Sequence, residues 1–362
     1  MINEPHWNRC IHHRGAEVIS FLSTLLSEPH RRPLLVGGAG FDPRSVTVCR
    51  MISEIARART TGVFIRETRP NPATELLQRA ENNQQTMMAL LPDSVVREIS
   101  IFASDGAVVG GREIVKAVET LDLRSVTDIF VDVSALSTGV VFPLVRFLLA
   151  RRRLLSASLN LHLIVTNNTG MDEKITAIGA DAAATVHGFK GQLGLHSSLD
   201  AAKLWLPQLV GGQSGVLQKL YSFKNPDYVC PILPFPASAP RRADKLVEHY
   251  ASELESWGVD ARDILYAAED DPLDLYRTVL RIHDAQTRVF QEVGGSVTVI
   301  SPLGSKMLAI GSLMAAIERN FPVAYVESIS YSTSFQTADK SAHPDDELVH
   351  VWLEGEAYKN AI

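Results

Sequence analysis

The stretch Pro33-Leu-Leu-Val-Gly-Gly-Ala-Gly-Phe-Asp-Pro-Arg44 decides the fold class. Its four-residue apolar run is too short for a helix and stops at glycines, as a fully buried strand does. A helical pattern follows over residues 43–58, with Asp42 as a capping residue and Pro43 in the first turn. Strand, glycine turn and helix in that order make the opening of a βαβ unit. Working outward, an amphipathic helix over 16–26 precedes it. Strands at 62–65, 97–103, 128–133 and 161–165 follow, with helices at 72–85, 112–120 and 139–151 between them. Such alternation predicts an α/β fold with a parallel sheet covered on both faces.

Residues 166–226 break the rhythm, with glycines that include Gly179, Gly188, Gly191, Gly194, Gly211, Gly212 and Gly215, and short helical pieces such as 199–206. They read as a connector or an active loop region, not as a separate core. Alternation resumes with strands at 228–233, 263–267, 296–300 and 322–326 and helices at 240–254, 272–293 and 306–319. Residues 347–358 alternate weakly, as an added antiparallel edge strand would. The expected organisation is a helical segment (1–30), a first Rossmann-like unit (31–186), a glycine-rich connector (187–226) and a second Rossmann-like unit (227–362).

The halves also match in their turns. The offset in numbering from Pro43 to Pro240 is 197, and from Pro72 to Pro272 it is 200. From Ser134 to Ser301 it is only 167. An internal duplication in which the second half lacks one βα unit, the counterpart of 97–120, accounts for the drop.

Composition excludes several classes. The chain has 362 residues, 46% hydrophobic and 21% charged, which suits a globular protein. Thirty-five basic residues against 41 acidic give a net charge of −6. There is no overall basic field for nucleic acid, and no interleaving of basic and aromatic residues. Cys10, Cys49 and Cys230 form neither a disulfide framework nor a metal motif. No targeting pattern opens the chain and no apolar run of membrane length occurs, so a cytoplasmic protein is expected. His343, Asp345, Asp346, Glu347 and His350 have the side chains of metal ligands without a standard spacing, and no metal is expected. The nearest approach to a nucleophile elbow, Gly212-Gln213-Ser214-Gly215, has no recognisable strand before it.

In open parallel sheets, ligands bind beyond the carboxyl ends of the strands. Gly38, Gly40, Asp42 and Arg44 stand there after the first strand, in a turn whose amides suit an anion. This is neither the dinucleotide fingerprint nor a Walker loop. Arg241 and Arg242 sit near a helix start, where two cations oppose the helix dipole unless an anion compensates. Glu67 and Glu269 follow second strands, where such folds place an acid on a ribose. Ser137 and Thr138, and Ser301, Gly304, Ser305 and Lys306, form small hydroxyl-rich turns at helix starts. Asp132 lies within a strand and needs a partner. Asp132, Glu67 and Glu269 are the candidate acids and bases.

Ile300-Ser-Pro-Leu-Gly-Ser-Lys-Met-Leu-Ala309 resembles the turn that CARF domains, and the fused SAVED domains, place after a late strand. Val133-Ser-Ala-Leu-Ser-Thr-Gly139 is similar to a degenerate copy. Ser305 stands where Thr is usual, Leu303 intrudes, and the first copy lacks the Lys. The resemblance implies a nucleotide sensor acting through a partner chain in prokaryotic defence. The expected ligand is small and phosphate-bearing, with no resident cofactor and with a protein partner or a homo-oligomer. The alternatives are a nucleotide-directed hydrolase or transferase on the same fold, and a non-catalytic scaffold subunit.

Overall fold

The computed structural model describes residues 4–155, 159–191, 201–292, 294–334 and 346–358. The chain begins with β1 (Ile11–Arg14), α1 (Ala16–Ser27), β2 (Pro33–Gly38), α2 (Thr47–Ala56), β3 (Thr61–Thr68), α3 (Thr74–Leu90) and β4 (Ser94–Ser100). It continues through α4 (Gly110–Glu119), β5 (Asp128–Asp132), α5 (Thr138–Leu155), β6 (Asn160–Asn167), α6 (Thr169–Asp172), β7 (Ile175–Gly179) and β8 (Ala184–Thr185). Then come β9 (Ala202–Pro207), α7 (Ser214–Lys224), β10 (Tyr228–Val229), β11 (Ile232–Pro234), α8 (Arg242–His249), α9 (Ala251–Ser256), β12 (Leu265–Ala267) and α10 (Pro272–Phe290). The last elements are β13 (Ser296–Ser301), α11 (Lys306–Glu318), β14 (Ala324–Tyr325), β15 (Ser328–Thr333) and β16 (Glu347–Glu354).

Two compact units result. The larger holds Arg9–Ile178 and the segment from Ile329 onward; the smaller holds residues up to Asn8 and Gly179–Ser328. The boundaries therefore differ from those expected at 186 and 226, and the larger unit is discontinuous.

The larger unit is a seven-stranded sheet in the order β1-β16-β6-β5-β2-β3-β4. Its five consecutive strands β4-β3-β2-β5-β6 are parallel. The order reverses between β2 and β5, which is the doubly wound, Rossmann-like topology and its switch point. Every residue of β2 and β5 is buried, because helices cover both faces. Leu35, Phe64, Phe130 and Ile164 meet Val18, Leu22, Leu26, Val48 and Ile52 of α1 and α2 in the core. The expected antiparallel strand near residue 347 exists as β16, but it is not an edge. It lies between β6 and β1, with His350 opposite Ile164 on one side and His13 on the other.

In the smaller unit β9 is central, paired in parallel with β10 and β13. Here the expected connector is corrected. Residues 202–207 are a strand, buried from Leu204 onward, rather than a helical piece; residues 199 and 200 lie outside the described set. An Ala- and Leu-rich run has no strand period to announce it, and burial on both faces overrides its helix propensity. β10 and β11 are two halves of one path beside β9, since Ile232 bridges Gln208 in parallel. Pro231 interrupts that path because it has no N–H to donate. β12 flanks β11, and Val323 bridges Ile300 beyond β13.

The lateral order is thus the same in both units, third-second-first-fourth-fifth. Counterparts lie at nearly one offset in numbering: Pro33 and Ala202 differ by 169, Thr61 and Tyr228 by 167, Asp128 and Ser296 by 168, and Thr138 and Lys306 by 168. No βα unit is missing. The expected deletion came from pairing the first strand of one half with the second strand of the other, once β9 had been overlooked. Among the described residues no helix is long and apolar enough to cross a membrane.

Candidate functional site

At the larger unit's switch point, the turns after β2 and β5 close on each other. A Cβ on Gly38 would lie 3.0 Å from the carbonyl carbon and oxygen of Ala135, and one on Gly40 3.6 Å from that oxygen. Gly38 makes room for backbone, so packing accounts for it in place of the expected ligand contact, whereas Gly40 is only in ordinary contact with the same turn. Asp42 caps the 3-10 turn Pro43–Val46 by accepting the Arg44 N–H. Asn83 Nδ2 donates to the carbonyls of Gly40 and Asp42 at 2.8 and 3.0 Å.

Arg44 is the clearest correction. Its guanidinium is 3% exposed, meeting Asp42 Oδ2 at 2.7 Å and Asp172 Oδ1 at 2.8 Å. Burial opposes its charge, but the Asp42 and Asp172 carboxylates outweigh burial and raise its pKa. A cation committed to two acids under the surface is a structural clamp. Asp172 follows Arg44 only after β3, β4, β5 and β6 have intervened, so nothing near the arginine in sequence announces it.

The candidate acids are likewise engaged. Asp132 is buried, and its Oδ1 accepts the Ser134 N–H at 3.0 Å and the Ser134 hydroxyl at 2.5 Å. Burial, with Asp132 nearby, pushes the Cys49 thiol up to about 12. Glu67 Oε1 accepts the N–H (2.8 Å) and hydroxyl (3.1 Å) of Ser137, and its Oε2 pairs with Arg69 at 2.8 Å. Arg69 lies over the Tyr331 ring, 5.1 Å from its centroid. Thr138 opens α5 beside this knot.

The smaller unit repeats the device with other residues. Glu269 is 4% exposed; its Oε2 accepts the N–H and hydroxyl of Ser238, both at 2.9 Å, and its Oε1 meets Arg242 at 3.2 Å. That carboxylate answers the expected frustration of Arg242. Arg241 is exposed and pairs with Asp244 and Glu248. It has φ +58°, and α8 starts at Arg242 instead of at Pro240. Ser301 is buried and accepts from Trp205 Nε1 at 2.9 Å. Ser305 caps α11 by accepting the Leu308 N–H, and its hydroxyl reaches the Glu269 carbonyl oxygen at 3.3 Å. Lys306 is the first residue of α11.

Sequence reasoning missed Gln208. Its buried amide accepts the Gly304 N–H at 3.0 Å and donates to Ser312 Oγ at 2.5 Å, which fixes the turn after β13 against β9. The loop after β9 lies in the glycine-rich stretch expected as a connector or an active loop region. There Gly211, Gly212 and Gly215 surround the start of α7, and a Cβ on any of them would meet no described atom within 4 Å. Gly212 has φ +74°, a backbone that favours glycine. The strand that the sequence pattern failed to show before Gly212-Gln213-Ser214-Gly215 is β9, which ends at Pro207. Among the described residues, space is therefore open around the glycines after β9, while Gly304 of the β13 turn is packed against Gln208 and Gly38 of the larger unit against Ala135.

The expected metal-type residues His343 and Asp345 lie outside the described residues. Among the described residues no cluster of three or more metal-type side chains occurs. The three cysteines are buried and form no disulfide with one another.

No protein-family model matches the chain, and no curated protein matches it. Solved structures that align with it include the carbon methyltransferase DszA, at 11% identity and TM-score 0.25 over 42% of this chain and 33% of that one. UDP-GlcNAc 2-epimerase from Neisseria meningitidis, bound to UDP-GlcNAc, aligns at 11% identity and TM-score 0.21 over 79% of this chain and 90% of that one. The GsuK channel bound to NAD aligns at 12% identity and TM-score 0.21 over 81% and 61%. The chain spans about a third of the methyltransferase chain. Likenesses this distant add nothing to the strand order, which defines the fold by itself.

Proposed function

We propose that the protein binds a small phosphate-bearing ligand at the smaller unit's switch point, between the loop after β9 and the turn after β13. The observation that carries this reading is the open glycine loop, Gly211, Gly212 and Gly215, at the start of α7. Glycines that neither pack nor support a neighbour leave backbone N–H groups reachable, and a helix N-terminus favours negative charge. The adjoining β13 turn adds the start of α11 and Lys306. The reading that goes furthest is a sensor signalling through a partner chain, as in prokaryotic defence. It rests on the resemblance of the Ser301–Lys306 turn to those of CARF and SAVED domains, which makes cyclic oligonucleotides the first ligands to try.

A thermal-shift panel of nucleotides, dinucleotides and cyclic oligonucleotides tests the reading, with mass spectrometry of the ligand after incubation. A ligand at 100 times its Kd stabilises by about 2.7 kcal/mol. Lys306→Ala is expected to weaken the response at least tenfold in Kd. A hit returned intact supports a sensor, and one returned as product supports an enzyme. No response to any member, or a response indifferent to Lys306→Ala and Gly215→Asp, overturns the site.

A further inference from the structure

The smaller unit carries a second, separate feature on α10. A cavity of about 320 Å³ is lined by Pro5, Asn8, Leu280 and one stripe of that helix, Arg277, Arg281, Asp284 and Arg288. The arginines stand at i, i+4 and i+11, which puts them on one helix face over about 16 Å. Among the described residues none of the three guanidinium groups pairs with a carboxylate. Arg277 donates to the Asn8 carbonyl at 2.8 Å and so holds the cavity wall, and Arg281 reaches only the Thr278 hydroxyl at 3.5 Å.

Arg31, Arg44, Arg69, Arg79, Arg152 and Arg242 have acid partners, and Arg57, Arg59 and Arg151 are tied to backbone carbonyls. The single acid of the stripe, Asp284, faces Arg319 at 3.8 Å, so its charge is already countered. Glu318, near the Tyr276 phenol, also meets Arg319. Three like charges on one face repel one another, and the cost falls when a multivalent anion joins them.

We infer that this cavity is a binding site for a compact polyphosphate, held by the guanidinium groups of Arg281 and Arg288 with Arg277 at the cavity wall. Guanidinium forks bind phosphate oxygens in pairs, and the absence of lysine from the stripe favours that planar recognition. The volume admits a small molecule. The site is independent of the switch-point reading: α10 runs away from the carboxyl end of β12 toward the start of β13, which carries Arg288 to the opposite edge of the sheet.

The test is calorimetric titration of the full chain with inorganic tripolyphosphate at about 50 and about 200 mM salt. Saturable binding is expected that weakens with salt. Arg281→Ala/Arg288→Ala is expected to weaken it at least tenfold with an unchanged melting temperature, because both side chains are exposed. Arg262→Ala, which removes an exposed arginine paired with Asp260, is expected to leave it unchanged. Lys306→Ala is also expected to leave it unchanged, so failure here is separable from failure of the switch-point site. No saturable binding by the wild-type chain, or equal affinity in the double variant, overturns the proposal.

Discussion

Replacing Arg44 with Met separates a structural cation from a ligand contact. The side chain lies 3% exposed between Asp42 and Asp172, and Asp42 is itself nearly buried. Methionine fills a similar volume but leaves Asp42 facing Asp172 without the charge between them. Removing one member of a buried ion pair costs about 3–5 kcal/mol. In a unit of this size each kcal/mol shifts the melting temperature by roughly 2–4 °C, so a fall of about 6–20 °C is expected. Adding Asp42→Asn should recover part of the loss, because asparagine keeps the cap on the Arg44 N–H and removes the stranded charge. Urea and thermal unfolding followed by circular dichroism measure both effects. Affinity for any ligand that Lys306→Ala weakens should be unchanged in the double variant. A stable Arg44→Met protein that has lost ligand affinity would refute the reasoning, since the arginine would then face a ligand and not a clamp.

Acid should act through a line of histidines. His13 Nδ1 meets His350 Nδ1 at 3.0 Å, His350 Nε2 meets His162 Nδ1 at 2.9 Å, and His162 Nε2 faces Asp128 at 3.6 Å. Burial lowers the pKa of all three, with His162 and His13 adding to the effect on His350. The unfolded chain then binds more protons than the native one below about pH 6.5, so stability should fall as pH drops through that value. Urea midpoints at pH 7.5 and 5.5 check this, and a larger midpoint at 5.5 would contradict it. Gly38→Ala should destabilise by about 1–3 kcal/mol through collision with the Ala135 backbone. Gly211→Ala should leave the melting temperature within a degree or two, and a reversal of the two would show that the wrong glycine turn was assigned as open. Gln208→Leu strands the Gly304 N–H and should cost about 1–3 kcal/mol in unfolding free energy, with Lys306-dependent binding weakened as the turn loosens.

Short apolar runs were enough to place β2, β3, β5 and β13, and capping residues such as Asp42 and Ser305 marked where helices begin after β2 and β13, because those signals are local. β9 was not legible. Its residues Lys203-Leu-Trp-Leu206 alternate with nothing, and only the neighbours β10 and β13 make them a strand. The error spread from there, since a lost first strand shifted the whole repeat by one element and created a deletion that does not exist. At the candidate site the residue types and their positions after strands were legible. Asp172 as the partner of Arg44, Ser137 of Glu67 and Gln208 of Gly304 were not, since each pair is brought together by the fold from strands far apart in the chain. The glycines tell the same story: Gly38 and Gly211 look alike in a sequence, and only the space around each separates packing from access.

The insertion of β16 between β6 and β1 has a consequence for synthesis. β6 ends at Asn167 and its partner begins at Glu347, so everything between them, the entire smaller unit included, must leave the ribosome before the pairing edge of β6 is covered. At roughly 5–20 residues per second that interval is about 10–35 s. Throughout it the buried run Leu161–Val165 offers an unsatisfied strand edge, and β1 waits for the last strand to arrive. The smaller unit, continuous but for its first few residues, can form meanwhile. The order of assembly is therefore the reverse of the order of translation, with the unit begun first closing last.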